Sequence, residues 1–105
     1  MHYVFDLDGT LCHSSSNDYS KCEPIVDRIK TVNDLHDQGH HITVLTARGM
    51  GRFGNDRYLA EEIFMDLTIR QLKSWGLKYD ELLMGKPFGD VYVDDKGISD
   101  AEFFG

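Results

Sequence analysis

The sequence predicts a small α/β domain with a parallel sheet flanked by helices, and three observations predict it. Short β-branched runs alternate with stretches of helical periodicity along the whole chain. Each of those runs ends in polar, chemically capable residues, as the carboxyl ends of strands do in open α/β sheets. The chain has 105 residues and 41% hydrophobic content, which suffices for one modest core near the lower size limit of a doubly wound domain.

The elements follow in order. Tyr3, Val4 and Phe5 read as the end of a buried first strand. Cys12 to Ser20 is polar and without periodicity, hence a loop. Pro24 suits the first turn of a helix, Ile25, Val26, Ile29, Val32 and Leu35 follow at helical spacing, and Gly39 supplies the stop. His41 to Thr46 reads as the second strand. Strand, helix and strand at this spacing make a βαβ unit, so the two strands are expected parallel, with Thr46 beside Asp6. Gly49 to Asn55 is a glycine-rich loop carrying Arg52. Asp56 to Met65 is helix-compatible, and Thr68-Ile69-Arg70-Gln71 matches a capping box, which predicts a fresh helix there that buries Leu72 and Trp75. Glu81 to Met84 reads as a third strand and Asp90 to Val93 as a fourth. A short helix after a Ser99 cap is expected to pack Phe103 and Phe104 on the core.

The balance of charge narrows the function. A net charge of −7 argues against a nucleic-acid backbone as principal partner. No apolar run approaches the length of a membrane span, and the N-terminus carries no leader pattern, so a cytoplasmic enzyme is expected. The two cysteines, Cys12 and Cys22, are expected as reduced thiols, and without a CxxC pair a zinc site has little support.

The stretch with most chemistry is Asp6-Leu7-Asp8-Gly9-Thr10-Leu11. Its carboxylates stand at i and i+2, on one side of an extended backbone, where like charges repel by about 4 kcal/mol at an effective dielectric of 20. A cation, a shared proton or a substrate must account for both. The other strand ends add Thr46, Lys86, Asp94 and Asp95. Such a pocket suits a hard divalent ion such as Mg²⁺ with a phosphoryl group, Lys86 holding one phosphate oxygen and Thr46 donating to another. Arg48, Arg52 and Arg57 at the mouth fit an anionic substrate. His40 and His41 occupy adjacent strand positions and point to opposite faces, unsuited to sharing one metal; His2 and His36 read as surface residues, and His13 as a possible substrate contact.

The order and spacing of these motifs resemble the haloacid dehalogenase (HAD) superfamily, over most of the chain. The resemblance implies a Rossmann-like core and a phosphomonoester hydrolase in which Asp6 is the nucleophile and forms an aspartyl phosphate, while Asp8 protonates the leaving oxygen and then activates water. It implies Mg²⁺ on the Asp6 carboxylate, the Asp8 backbone carbonyl and Asp94, with Asp95 acting through water. Thr46 and Lys86 take supporting catalytic roles, and Gly9, Thr10, Ala47 and Arg48 border the substrate. Of the two gaps where larger relatives insert a cap, the first is a short loop here and the second is used up by helices needed for the core, so a capless domain is expected, with a homo-oligomer partner as one way to cover the open site. Thr-Ala-Arg-Gly, Gly-Lys-Pro and Val-Asp-Asp-Lys are similar to small capless phosphatases of capsule and surface-polysaccharide biosynthesis, which implies a small phosphorylated metabolite such as a phosphosugar. Two rivals share parts of the pattern. A receiver-type signalling domain carries its acidic pair at the first strand and its phosphorylated aspartate mid-chain, whereas here an adjacent pair comes last. A phosphosugar mutase shares the Asp-x-Asp pair but usually needs a cap.

Overall fold

The computed structural model describes residues 1–14 and 18–105; Ser15, Ser16 and Asn17, part of the expected polar loop, lie outside the described residues. Three parallel strands, β1 (His2–Phe5), β2 (His41–Thr46) and β3 (Glu81–Met84), form one sheet in the order β1-β2-β3. Helix α1 (Val26–Asp37) links the first two strands and α2 (Arg57–Ser74) the second two. Each crossover exceeds the dozen residues that a parallel connection needs.

Burial alternates along the edge strands β1 and β3 and separates the two faces of the sheet, while the central β2 also buries Thr43. Phe5, Ile42, Val44 and Met84 are buried, and Phe5, Ile42 and Val44 join Ile29 and Val32 of α1 and Leu72 of α2 in one core. The next residues along point the other way, where Val4 is 57% and Leu83 46% exposed. The helices between strands therefore cover one face and leave the other open, unlike a doubly wound sheet. Consecutive right-handed crossovers that march in one direction across a sheet place their helices on the same side.

The helices carry legible stops and starts, with one correction. Gly39 (φ 93°) and Gly76 (φ 72°) end α1 and α2 in the left-handed region that suits glycine. Asp56 caps α2, accepting from the N–H groups of Tyr58 and Leu59. The fresh helix expected at Thr68 does not form, because α2 runs unbroken through it. The Thr68 hydroxyl donates back to the Phe64 carbonyl at 2.8 Å, which holds it inside the helix instead of capping a new one.

The fourth strand expected over 90–93 is likewise not formed; Val91 is 78% and Val93 94% exposed. Only residues 85–89 separate β3 from that segment, too few to carry the chain back to the start of another parallel strand. Tyr92 instead folds back, its hydroxyl donating to the Pro87 carbonyl at 2.6 Å and accepting from the Gly89 N–H. The closing helix α3 (Asp100–Phe104) starts at Ser99, which accepts from the Glu102 N–H, and its Phe103 and Phe104 pack against Phe5 as expected. No helix among the described residues is long and apolar enough to cross a membrane.

Candidate active site

Directly after β1 the chain makes a tight turn that fixes the acidic motif. The N–H groups of Thr10, Leu11 and Cys12 all donate to the Leu7 carbonyl, and Gly9 sits at φ 84°. Leu7 and Leu11 are fully buried and anchor the turn in the core. Asp6 and Asp8 flank Leu7 and turn toward a cleft of about 350 Å³ at the carboxyl ends of the strands, which Ala47, Arg48 and Lys86 also line. Thr46 pairs with Met84 in the sheet, and its carbonyl accepts the Lys86 N–H at 3.1 Å, which brings the lysine over the same strand ends.

Asp6 is held by a hydroxyl and an ammonium. Thr10 Oγ1 donates to its Oδ2 at 3.0 Å, and Lys86 Nζ lies 3.4 Å from its Oδ1. Both partners leave the carboxylate partly exposed to the cleft, at 32% of its side-chain surface. Lys86 also stands 4.5 Å from the centroid of the Tyr92 ring, so the fold-back of Tyr92 closes one side of the cleft.

Asp8 stands in a different environment. Arg48 meets it in bidentate fashion, Nε to Oδ2 at 2.9 Å and Nη2 to Oδ1 at 3.0 Å. The thiols of Cys12 and Cys22, each 3.4 Å away, also donate to Oδ1. Arg48 is 1% exposed, and its remaining Nη1 donates to Thr68 Oγ1 and Gln71 Oε1 on α2, while its guanidinium lies over the Tyr19 ring. Burial alone would lower the pKa of Arg48; the hydrogen bonds and charge of Asp8 more than offset that and hold it above the ordinary value. Burial, reinforced by the Asp8 charge, pushes the Cys12 thiol well above its ordinary range, and both cysteines are buried.

The other expected site residues divide. Thr46 is 1% exposed, lies beneath the cleft and accepts the Arg48 N–H on its hydroxyl at 3.1 Å, a backbone-fixing use. Thr10 and Gly9 shape the Asp6 turn. Arg52 reaches the cleft lining; Arg57 and His13 are not in it. Asp94 and Asp95 are exposed at the turn after 90–93, with Asp94 Oδ1 accepting the Lys96 N–H at 3.0 Å, a bond that holds the Asp94 carboxyl below the usual carboxylate range. Among the described residues, Asp6, Asp94 and Asp95 do not gather their carboxylates within ligating distance of one another. A Mg²⁺ ion takes one or two carboxylates and fills its shell with water and phosphate oxygens, so Asp6, which lines the cleft, fits it as a hard oxygen donor. Sequence reasoning missed Ser14, Tyr19, Phe88 and Tyr92 in the cleft. The signal for Tyr19 was a lone aromatic residue in an otherwise polar loop.

No family model and no curated protein matches this chain. Among solved structures, the chain is similar to a crystallographic target from Vibrio cholerae, with a TM-score of 0.90 and 29% identity over 98% of this chain and 86% of that one. It is also similar in fold to part of a chain in a Pnkp1/Rnl/Hen1 complex, at a TM-score of 0.60 and 23% identity, over 90% of this chain and 30% of that one.

Proposed function

We propose that this chain is a Mg²⁺-dependent phosphomonoester hydrolase of the haloacid dehalogenase type, acting on a small phosphorylated metabolite such as a phosphosugar. The observation that carries the reading is Asp6, held by Thr10 and Lys86 with its carboxylate facing a cleft at the ends of parallel strands. In that reading an Asp6 oxygen attacks phosphorus in line, forming an acyl phosphate as the bond to the leaving ester oxygen breaks. Lys86 neutralises negative charge on Asp6 and on the transferring group. Mg²⁺ held by Asp6 would supply further neutralisation of the phosphoryl oxygens.

Asp8 gives the leaving oxygen its proton and then takes one from the water that cleaves the acyl phosphate at phosphorus, returning free Asp6 and inorganic phosphate. Because Arg48 occupies both of its oxygens, that work requires one of them to be released toward the substrate. The cleft volume of about 350 Å³ suits a small molecule, and Arg52 at its rim favours an anion. Among the described residues the β1 edge has no strand beyond it, which leaves room for a second copy beside the open site.

The test is turnover of p-nitrophenyl phosphate and a panel of sugar, polyol and nucleoside phosphates with and without Mg²⁺. Hydrolysis that stops in excess chelator and is absent in Asp6→Asn is the expected result. Full activity in either condition overturns the assignment.

A further inference from the structure

At the far end of the strands from the Asp6 cleft, on the open face of the sheet, three side chains converge. His2 and His41 are register partners in β1 and β2, and Glu81 is the partner of Thr43 in β2 and β3. Register partners in adjacent strands point to the same face, so all three project from the side the helices leave open. Glu81 leans back along its strand, placing Oε1 2.8 Å from His41 Nε2 and 3.3 Å from Thr43 Oγ1. His2 Nε2 lies 2.7 Å from the same hydroxyl, and the two imidazoles meet edge to face with centroids 4.4 Å apart.

We propose that His2, His41 and Glu81 form a binding site for a divalent transition-metal ion of the zinc class. One nitrogen from each histidine and one Glu81 oxygen lie within 4.8 Å of one another. Ligands at about 2.0–2.2 Å around a tetrahedral ion stand roughly 3.4 Å apart, so closing the site takes rotation of side chains that are 45% and 47% exposed at His41 and Glu81. Two imidazoles and a carboxylate leave the fourth position to water on the solvent side, and imidazole ligands select zinc, nickel or copper over magnesium.

A second, independent feature points the same way. Asp80 Oδ2 stands 3.9 Å from His41 Nδ1, behind the ring nitrogen that would not ligate. Its carboxylate is fixed by the Ile42 N–H at 2.8 Å. At 3.9 Å the two are not hydrogen-bonded; a small rotation of the exposed His41 ring would bring its Nδ1–H onto the carboxylate, the contact that sets the tautomer and orientation of a ligating histidine. His36 faces the other Asp80 oxygen at 3.6 Å and does not enter the site. Sequence neighbours mislead here, because His41 finds its partner across the sheet in His2, not beside it in His40.

The site does not rest on the hydrolase reading and is tested without it. Metal-stripped protein is titrated with Zn²⁺ against a competing chromophoric chelator, and Co²⁺ absorption reports the coordination number. One Zn²⁺ per chain is expected, with affinity falling at least about 10-fold in His2→Ala, His41→Ala and Glu81→Gln, each checked for folding by circular dichroism. Asp6→Asn and a Cys12→Ser, Cys22→Ser double variant should bind as tightly as the parent. Absence of Zn²⁺ binding, unchanged affinity in the three ligand variants, or loss in the cysteine variant overturns the proposal.

Discussion

Asp6 and Asp8 are two residues apart on the same turn, yet their surroundings share almost nothing. Asp6 meets a flexible ammonium and a hydroxyl and keeps a third of its side-chain surface open; Asp8 is 19% exposed and gripped by a guanidinium that is itself fully enclosed. The spacing that put both acids on one side of the backbone is therefore only half of the arrangement. Leu7 between them is buried, and the turn that follows hands Asp6 to Thr10 and Lys86 and Asp8 to Arg48, which Thr68 and Gln71 of α2 hold in place. The lesson is that repulsion within an Asp-x-Asp pair is relieved twice over by protein cations, one for each carboxylate, before any metal ion is counted.

The sharpest way to break this division is at Asp6. Asp6→Asn is expected to lower turnover by more than about 10³-fold, roughly 4 kcal/mol of transition-state stabilisation, because an amide cannot form the acyl phosphate. Near-normal kcat in that variant, at saturating Mg²⁺, would end the nucleophile assignment. For Asp8 the comparison predicts a stability effect of similar size. Arg48→Met leaves a carboxylate with its guanidinium removed and should cost about 3–5 kcal/mol in urea unfolding at pH 7. Arg48→Lys should recover little, since an ammonium cannot make the bidentate contact together with the bonds to Thr68 and Gln71. A loss under 1 kcal/mol for Arg48→Met would mean that the thiols and solvent already satisfy Asp8.

Lys86 comes next. Lys86→Ala is expected to reduce kcat/KM by about 10²-fold, or 2.7 kcal/mol, with little change in stability. Lys96, whose backbone N–H serves Asp94, should matter far less when truncated. The reverse order would exchange the roles of the two lysines. Asp94→Asn adds a graded check: since Asp6 lines the cleft and Asp94 does not, its Mg²⁺ dependence should change less than that of Asp6→Asn.

How much of this was legible in the sequence follows from which interactions are local. The cap at Ser99 and the stop at Gly39 depend on residues within a turn of one another, and the runs that became β1, β2 and β3 carry their own local composition, so all were readable. The fourth strand had the right composition in Val91, Tyr92 and Val93, but a parallel strand is a long-range property, and the chain from Met84 is too short to reach one. Thr68 matched a helix-start pattern that cannot say whether the hydroxyl looks forward to a new helix or back to Phe64. At the site, Asp6 with Lys86 followed from strand ends, whereas the enclosure of Arg48 by Asp8, Thr68 and Gln71 was not legible, because nothing local shows it. The His2 and His41 pairing was invisible for the same reason, being a matter of register between strands.

The smallest effect tests what burial adds to an arginine–carboxylate pair. Arg28 and Asp100 repeat the Arg48–Asp8 chemistry at the surface, with Nη1 to Oδ2 at 2.7 Å and side chains 22% and 40% exposed. Arg28 also lies over the Phe104 ring and donates to the Thr10 carbonyl, so the pair ties α3 and α1 to the acidic turn. The Arg28 hydrogen bond, helped by its charge, holds the Asp100 carboxyl below the ordinary value near 3.9. A carboxyl lowered in the folded state stabilises the protein above its unfolded pKa, and that contribution fades as the pH falls below about 4 and through the folded value. Asp100→Asn removes this term, so thermal melts of the variant should lose less stability than the parent between pH 5 and the acid limb, with the gap largest at neutral pH. Solvent and salt screen an exposed pair, so the shift should shrink in about 1 M salt, while the Arg48→Met loss persists. If added salt diminished both losses alike, the enclosure of Arg48 would not be what separates the two pairs.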